Sequence, residues 1–300
     1  MDRSEFDALF ERVRTWGRWE NDRGSLNHIG PREVAAATAL VEDGRSVSLS
    51  HELDTEPGPD NPTPAEHRII DLNVGEGVTG ANKDYVGLAY HGKSVTHLDA
   101  FCHFGHEGRM YGGVASSEAI DIDGARFGDV RAGSAGIVGR GLLLDVARHR
   151  GVDWLEPGTA IRSAELADVA ADQQVSVRIG DIVFVRTGHA ARRAAKGAWD
   201  PSNFSAGLHP ASMAWLAERQ ISVLGSDGDN DARPSPVEGL TSPVHVLALV
   251  AMGVHLVDNT NLEDIALVSE ELGRWEFLCV MSPLRLVGGT GSPINPVAIF

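Results

Sequence analysis

The sequence predicts an α/β fold, and three features carry that expectation. Short apolar runs recur along the chain, each bounded by Gly or Asp: Ile137–Val146, Ile182–Arg186, Ile221–Leu224, Val254–Val257 and Phe277–Val280. Amphipathic stretches fall between several of them, at Ser163–Ala171, Pro210–Arg219 and Pro243–Met252. Strands interleaved with helices make an α/β protein. The composition, 42% hydrophobic with 23% charged residues, supplies a core and gives no reason to expect disorder.

The elements follow in order. Phe6, Leu9, Phe10, Val13 and Trp16 recur at helical spacing, as in an amphipathic docking helix. Gly30-Pro31 opens a second helical stretch through Val34 to Val41, which Gly44 stops. Val47 and Leu49 alternate with serines, as in a half-buried strand, and residues 54–64 form a Pro-rich loop. No repeat or low-complexity linker marks a boundary. One domain over residues 1–300 is expected, with 1–45 as an N-terminal helical extension.

Charge narrows the partners. Asp and Glu number 42 against 26 Lys and Arg, a net charge of −16. Nucleic acid and anionic membranes both require clustered cations, so neither is expected as a partner, and a small-molecule substrate is. Two cysteines, Cys102 and Cys279, make no disulfide framework, and the N-terminus lacks the short apolar core of a signal peptide. The longest nearly apolar run, Val244 to Val257, is too short for a membrane span. A cytoplasmic protein is expected.

The twelve histidines are unevenly placed. Residues 90–109 read YHGKSVTHLDAFCHFGHEGR, with His91, His97, Asp99, His103 and His106 close together. In a strand, His97 and Asp99 project to one face, and an imidazole beside a carboxylate can hold a divalent cation. If the chain turns helical after Asp99, His103 faces the same spot from one turn further on. His91 would sit about 20 Å from His97 in a continuous strand, at roughly 3.3 Å per residue. It reaches the cation only if the chain folds back, and Gly92 permits that. His106 adjoins Glu107-Gly108, where a solvated turn is the simpler account.

A second cluster lies downstream. Ser242-Pro243 is a helix start and Gly253 a stop, which puts His245 in the first turn. The helix advances about 10 Å from His245 to Met252, and the strand Val254–Val257 returns about 13 Å to Asp258. If the two run antiparallel, His245 and Asp258 finish at the same edge. The plainer account makes His245 a surface helix residue and Asp258 the start of a turn with Asn259.

THLDAFCH at 96–103 resembles the core of the H-x-G-T-H-x-D-x-x-x-H motif of the cyclase-like metal-dependent hydrolases, which include bacterial kynurenine formamidases and isatin hydrolases. The resemblance extends to GLHPASMAWLAERQISVLGSD at 207–227, HVLALVAMGVHLVDN at 245–259 and PLRLVGGTGSPINP at 283–296. It implies a swivelling β/β/α fold with a mixed central sheet and a divalent metal, and a His/His/Asp set suits Mn²⁺ or Zn²⁺. It also implies a homodimer or homotetramer and hydrolysis of a cyclic amide, a lactone or an N-formyl amide. Residue by residue, His97 and Asp99 match metal ligands, His103 matches the last His of the motif, and His245 matches a downstream active-site His. Two departures stand out. The first His of the motif is Lys93 here, so His91 is the replacement ligand. The distant acid, a Glu twelve positions after the downstream His, is Val257, with Asp258 next to it, which favours one metal over two.

The expected chemistry is attack of a metal-activated water on a carbonyl carbon. His91, His97 and Asp99 are the expected metal ligands and His103 the general base and later proton donor. His245 would polarise the carbonyl, and Asp258 would orient an imidazole. A non-hydrolytic metal-binding relative, or a cyclase/dehydratase using the same histidines for proton transfer, is the alternative that the Lys93 and Val257 departures permit. Other motifs fail. Asp227, Asp229, Asp231 and Glu238 have EF-hand spacing, but Ala232 stands where Gly is needed, so a solvated acidic loop at the mouth of the site is expected. GGTG at 288–291 reads as a turn, and Cys102 as a buried structural thiol.

Overall fold

The computed structural model describes residues 1–300. Nine strands form its main sheet: β1 (Ser46–Ser48), β2 (His97–Asp99), β3 (Ile137–Asp145), β4 (Ile182–Arg186), β5 (Val223–Ser226), β6 (His255–Asp258), β7 (Glu276–Met281), β8 (Gly291–Pro293) and β9 (Val297–Ile299). Their spatial order is β1-β9-β7-β3-β4-β5-β6-β2-β8. The centre, β3 to β6, is parallel, and every other pairing is antiparallel. The sheet is therefore mixed, as expected.

The centre is parallel because its strands are apolar on both faces. A parallel strand is covered on both sides and reads as a continuous hydrophobic run, as Ile182-Val183-Phe184-Val185 does before Arg186 ends it. Alternate residues feed two cores. Leu142, Leu144, Val183, Val185, Leu224 and Leu256 pack under α1 (Arg3–Val13), α2 (Ser163–Asp172) and α3 (Ser212–Glu218). Leu143, Phe184, Val223, Val257 and Leu98 face the other way, onto Phe277 and Phe300.

The expected helix over Pro243–Met252 is one α-turn, Pro243–His245, that continues as a π-helix over Val246–Met252. π-turns are rare and concentrate at functional sites. The carbonyls at a helix end lack intrahelical donors, and the N-terminal extension supplies them. Trp16 Nε1 donates to the Val250 carbonyl at 2.6 Å, Thr15 Oγ1 to Met252 at 2.8 Å, and Ser25 Oγ to Gly253 at 2.7 Å. Trp16 thus acts beyond the end of α1, which stops at Val13, while Phe6, Leu9, Phe10 and Val13 are its buried face. No helix is long and apolar enough to cross a membrane.

One element stands apart from both cores. Glu66–Asp71 and Lys83–Gly87 form an antiparallel ribbon paired only with itself. Its second strand ends shortly before His91.

Candidate metal centre

The register of two antiparallel pairs builds the centre. β6 places Asp258 directly opposite His97 and Leu256 opposite Asp99. Directly opposed residues share a face, so Asp258, His97 and Asp99 project together toward the helix that carries His245. On the other side of β2, Gly291 lies opposite Asp99. A Cβ on Gly291 would fall 2.5 Å from the Leu98 carbonyl and 2.8 Å from His91 Cε1, so only glycine leaves room for the His91 ring.

Asp99 is the hub. Its carboxylate is fully buried, and neither oxygen has a hydrogen-bond partner. Four imidazoles surround it. His91 Nδ1 and His97 Nε2 stand 3.0 and 3.3 Å from Oδ1, and His245 Nε2 and His103 Nε2 stand 3.5 and 3.9 Å from Oδ2. His245 Nε2 also lies 3.4 Å from Asp258 Oδ2. All six residues singled out from the sequence therefore converge. His106 does not, since it packs against Phe6 and Phe10 of α1.

Each ring is held by its second nitrogen or by its faces. His97 Nδ1 lies 2.8 Å from the Val95 carbonyl, which turns Nε2 to the centre. His245 Nδ1 lies 2.6 Å from Asp231 Oδ2, which does the same for its Nε2. His91 Nε2 meets Thr290 Oγ1 at 2.9 Å, and its ring stacks on His103 with centroids 3.7 Å apart and planes 3° from parallel. His91 reaches Asp99 because residues 92–95 fold back. The Asn259 amide ties down that bend by donating to the Gly92 and Val95 carbonyls at 2.9 and 3.2 Å.

The electrostatics separate the histidines. Burial works against a charged Asp99, but His103, His91 and His97 outweigh it and hold the carboxyl well below the usual range. Burial likewise opposes protonation of His245, yet Asp258 and Asp231 raise it well above the ordinary value. Burial also opposes the charge on His97, and Asp99 and Asp258 raise it. For His103 burial prevails, aided by the neighbouring imidazoles, and its pKa falls to about 4. Pairs of titratable groups driven apart in this way are a feature of acid–base sites.

The donor set fits a divalent cation. A buried carboxylate with both oxygens unsatisfied costs several kcal/mol unless a positive charge meets it, and imidazole nitrogens with carboxylate oxygens suit Mn²⁺ and Zn²⁺ alike. Donor atoms converge in two trios that share Asp99: His91, Asp99 and His103, and His97, Asp99 and Asp258. The expected set of His91, His97 and Asp99 is divided between them.

Sequence reasoning missed several residues here. The segment expected as a solvated acidic loop is instead buried: Asp227, Asp229, Asn230 and Asp231 are at most 2% exposed. Each has a structural use that draws it inward. Asp227 accepts from the backbone N–H groups of Thr187, Gly188 and His189. Asp229 pairs with Lys93 and Arg233, and Asn230 donates to Asp258 Oδ1 at 2.7 Å. Lys93, the departure from the motif, thus points to Asp229. GGTG likewise does more than turn, since it supplies Thr290 and Gly291 to His91. Cys102 is buried, with its thiol pushed up to about 12 by burial, in keeping with a structural role.

Fold and site together define a cyclase-type α/β protein. The chain belongs to the Cyclase family: the model of that family, described as "Putative cyclase", matches residues 47–230, more than half of the chain. Among solved structures it is similar to one described as a novel cyclase, at 26% identity and a TM-score of 0.84, covering 97% of this chain and 99% of that one. It is also similar to isatin hydrolase A from Labrenzia aggregata (20% identity, TM-score 0.61, 87% and 94% covered). A predicted metal-dependent hydrolase from Bacillus stearothermophilus matches at 16% identity and a TM-score of 0.54, with 85% and 97% covered. The last two likenesses establish shared fold. No curated protein sequence matches the chain.

Proposed function

We propose that the protein is a metal-dependent hydrolase that adds water across a cyclic amide, a lactone or an N-formyl amide. The observation that carries this reading is the Asp99 carboxylate, wholly buried, without a hydrogen-bond partner and ringed by four imidazoles. The names of the similar structures support it, as one is an isatin hydrolase and another a predicted metal-dependent hydrolase.

Asp99, common to both trios, would hold the ion together with His97, which shares its trio with Asp258, and with His91 from the other trio. A divalent ion bound there supplies Lewis acidity, lowering the pKa of water toward about 7 and polarising a carbonyl. His103, neutral at pH 7, takes the proton of the attacking water at its imidazole and returns it to the leaving nitrogen or oxygen. His245, kept protonated by Asp231 and Asp258, donates from Nε2 to the carbonyl oxygen as negative charge develops there. Its free cysteines, both buried, are compatible with action in a reducing cytoplasm.

The test is metal analysis of the purified protein, followed by a screen of lactones, cyclic imides and formamides with and without added Mn²⁺ or Zn²⁺. Metal-dependent ring opening or deformylation is the expected result. Bound metal with no hydrolysis of any of them overturns the hydrolase reading and favours a cyclase or dehydratase reaction on the same histidines.

A further inference from the structure

A cavity of about 400 Å³ opens between the N-terminal segment and α3. Two buried residues on its wall, Ile221 and Val254, lead into β5 and β6 at their amino ends. It therefore lies at the opposite end of β6 from Asp258 and includes none of the metal-centre residues. Val13, Trp19 and Met252 extend the apolar lining. Three guanidiniums, Arg12, Arg14 and Arg18, line it as well, against one carboxylate, Glu218. That balance runs against a chain of net charge −16.

The guanidiniums are open to a ligand. Arg12 meets Glu218 at 3.3 Å and Arg14 meets Glu11 at 2.9 Å, in pairs whose side chains are 39–66% exposed. Exposed pairs of this kind contribute little, and a better-placed oxyanion displaces them. Arg18 pairs with no carboxylate. It bonds to the neutral Gln220 amide oxygen and lies over the Trp19 ring, 5.0 Å from the centroid. Glu218 and Gln220 stand two residues apart, which brings Arg12 and Arg18 to the same rim.

We propose that this cavity binds a small amphiphilic carboxylate, with the acid group on Arg18 and the apolar body against Val13, Trp19, Ile221 and Met252. Concave sites with apolar walls and a few convergent polar groups are where small ligands bind, and this volume falls within the usual range of roughly 300–1,000 Å³. A guanidinium fork matches a carboxylate through two parallel hydrogen bonds. The second charge of a phosphate finds no other unpaired guanidinium on the wall, and an amine is repelled. Occupancy also reaches the helix that carries His245. Thr15, on the cavity wall, closes the π-helix through its N–H to the Ala251 carbonyl at 3.0 Å and its hydroxyl to the Met252 carbonyl at 2.8 Å. A ligand held by the neighbouring Arg18 and Trp19 therefore braces the far end of that helix.

The test uses the full-length protein. Calorimetry with hexanoate and benzoate, beside hexanamide, hexylamine and inorganic phosphate, gives the affinities. Hydrogen–deuterium exchange with and without hexanoate locates the contact. Arg18→Gln removes the unpaired charge and Ala217→Phe fills the cavity, with melting temperatures as the check on folding. Hexanoate or benzoate should bind with a Kd of about 1 mM or tighter. The amide, the amine and phosphate should bind about tenfold more weakly or worse, as should the carboxylate to either variant. Exchange should slow about twofold or more over residues 14–19 and 250–254. No carboxylate binding at about 10 mM overturns the proposal, as does hexanamide or phosphate binding as tightly as hexanoate. Unchanged carboxylate affinity in a folded variant, or unchanged exchange in both segments, also overturns it. Should neither variant fold, the exchange measurement on the wild type decides alone.

Discussion

Asp231 holds His245 Nδ1 at 2.6 Å and, through its other oxygen, accepts from the backbone N–H of Val244 at 2.7 Å. One buried acid therefore starts the helix and aims the imidazole on its first turn. A carboxylate that fixes the tautomer and charge of a working histidine is worth about 10²–10⁴ in turnover. Asp231→Ala should lower kcat by about that factor with KM and metal content nearly unchanged, and should cost ~2 kcal/mol of stability through the orphaned donors. Steady-state kinetics with metal analysis and chemical denaturation check both. A variant with wild-type kcat would make Asp231 a helix cap only.

His103 is assigned a proton-transfer role although its Nε2 stands near enough to Asp99 to share an ion. His103→Ala should retain wild-type metal stoichiometry while losing ~10²–10⁴ of kcat. Mass-spectrometric metal analysis beside an activity assay distinguishes the roles. Joint loss of metal and turnover would make His103 a ligand.

Gly291 faces Asp99 across β2, and a methyl group there meets the Leu98 carbonyl and the His91 ring. Gly291→Ala should displace His91, weaken metal binding about 10-fold or more and cost roughly 1–3 kcal/mol from overpacking. A metal titration of the apoprotein reads the effect. Unaltered affinity would show that His91 contributes nothing to the ion.

His255 gives a pH prediction outside the proton-transfer chemistry. It is wholly buried, its Nδ1 lies 2.8 Å from the Asp99 carbonyl, its Nε2 has no partner, and burial lowers its pKa to about 4. Above about pH 6.5 it is neutral folded or unfolded, so it adds no pH dependence there. As pH falls below 6.5 the unfolded chain takes the proton first, and stability is lost down to about pH 4. His97 and His245, whose values are raised, act in the opposite sense, so the difference between proteins is the quantity to measure. His255→Phe should remove up to about 3 kcal/mol of the wild-type acid sensitivity between pH 6.5 and 4. Equal acid slopes in urea unfolding would contradict it.

What could be seen in the sequence depended on range. The strand over Ile182–Arg186 is legible because its first four residues, Ile-Val-Phe-Val, are an uninterrupted apolar run, and the face shared by His97 and Asp99 follows from period two alone. The meeting of His245 with Asp258 follows from a helix and strand of matched length running antiparallel. The burial of Asp229 and Asp231 was not legible, because an acidic loop looks solvated until its partners Lys93, Arg233 and His245 are known to lie beside it. Thr290 and Gly291 were missed for the same reason. Their use comes from β8 pairing with β2 across nearly two hundred residues, and no local pattern announces that register. The π-helix left no signal either, since its last carbonyls are satisfied by Thr15, Trp16 and Ser25 from the far end of the chain.

The central claim is that Asp99 gathers a divalent cation with the imidazoles around it, and Asp99→Asn tests it most directly, since the amide keeps the shape and removes the charge. Titrating Mn²⁺ and Zn²⁺ into wild-type and variant apoprotein by calorimetry should give a bound ion for the wild type and an affinity at least ~100-fold weaker for the variant. Equal affinities in the two folded proteins would contradict the account.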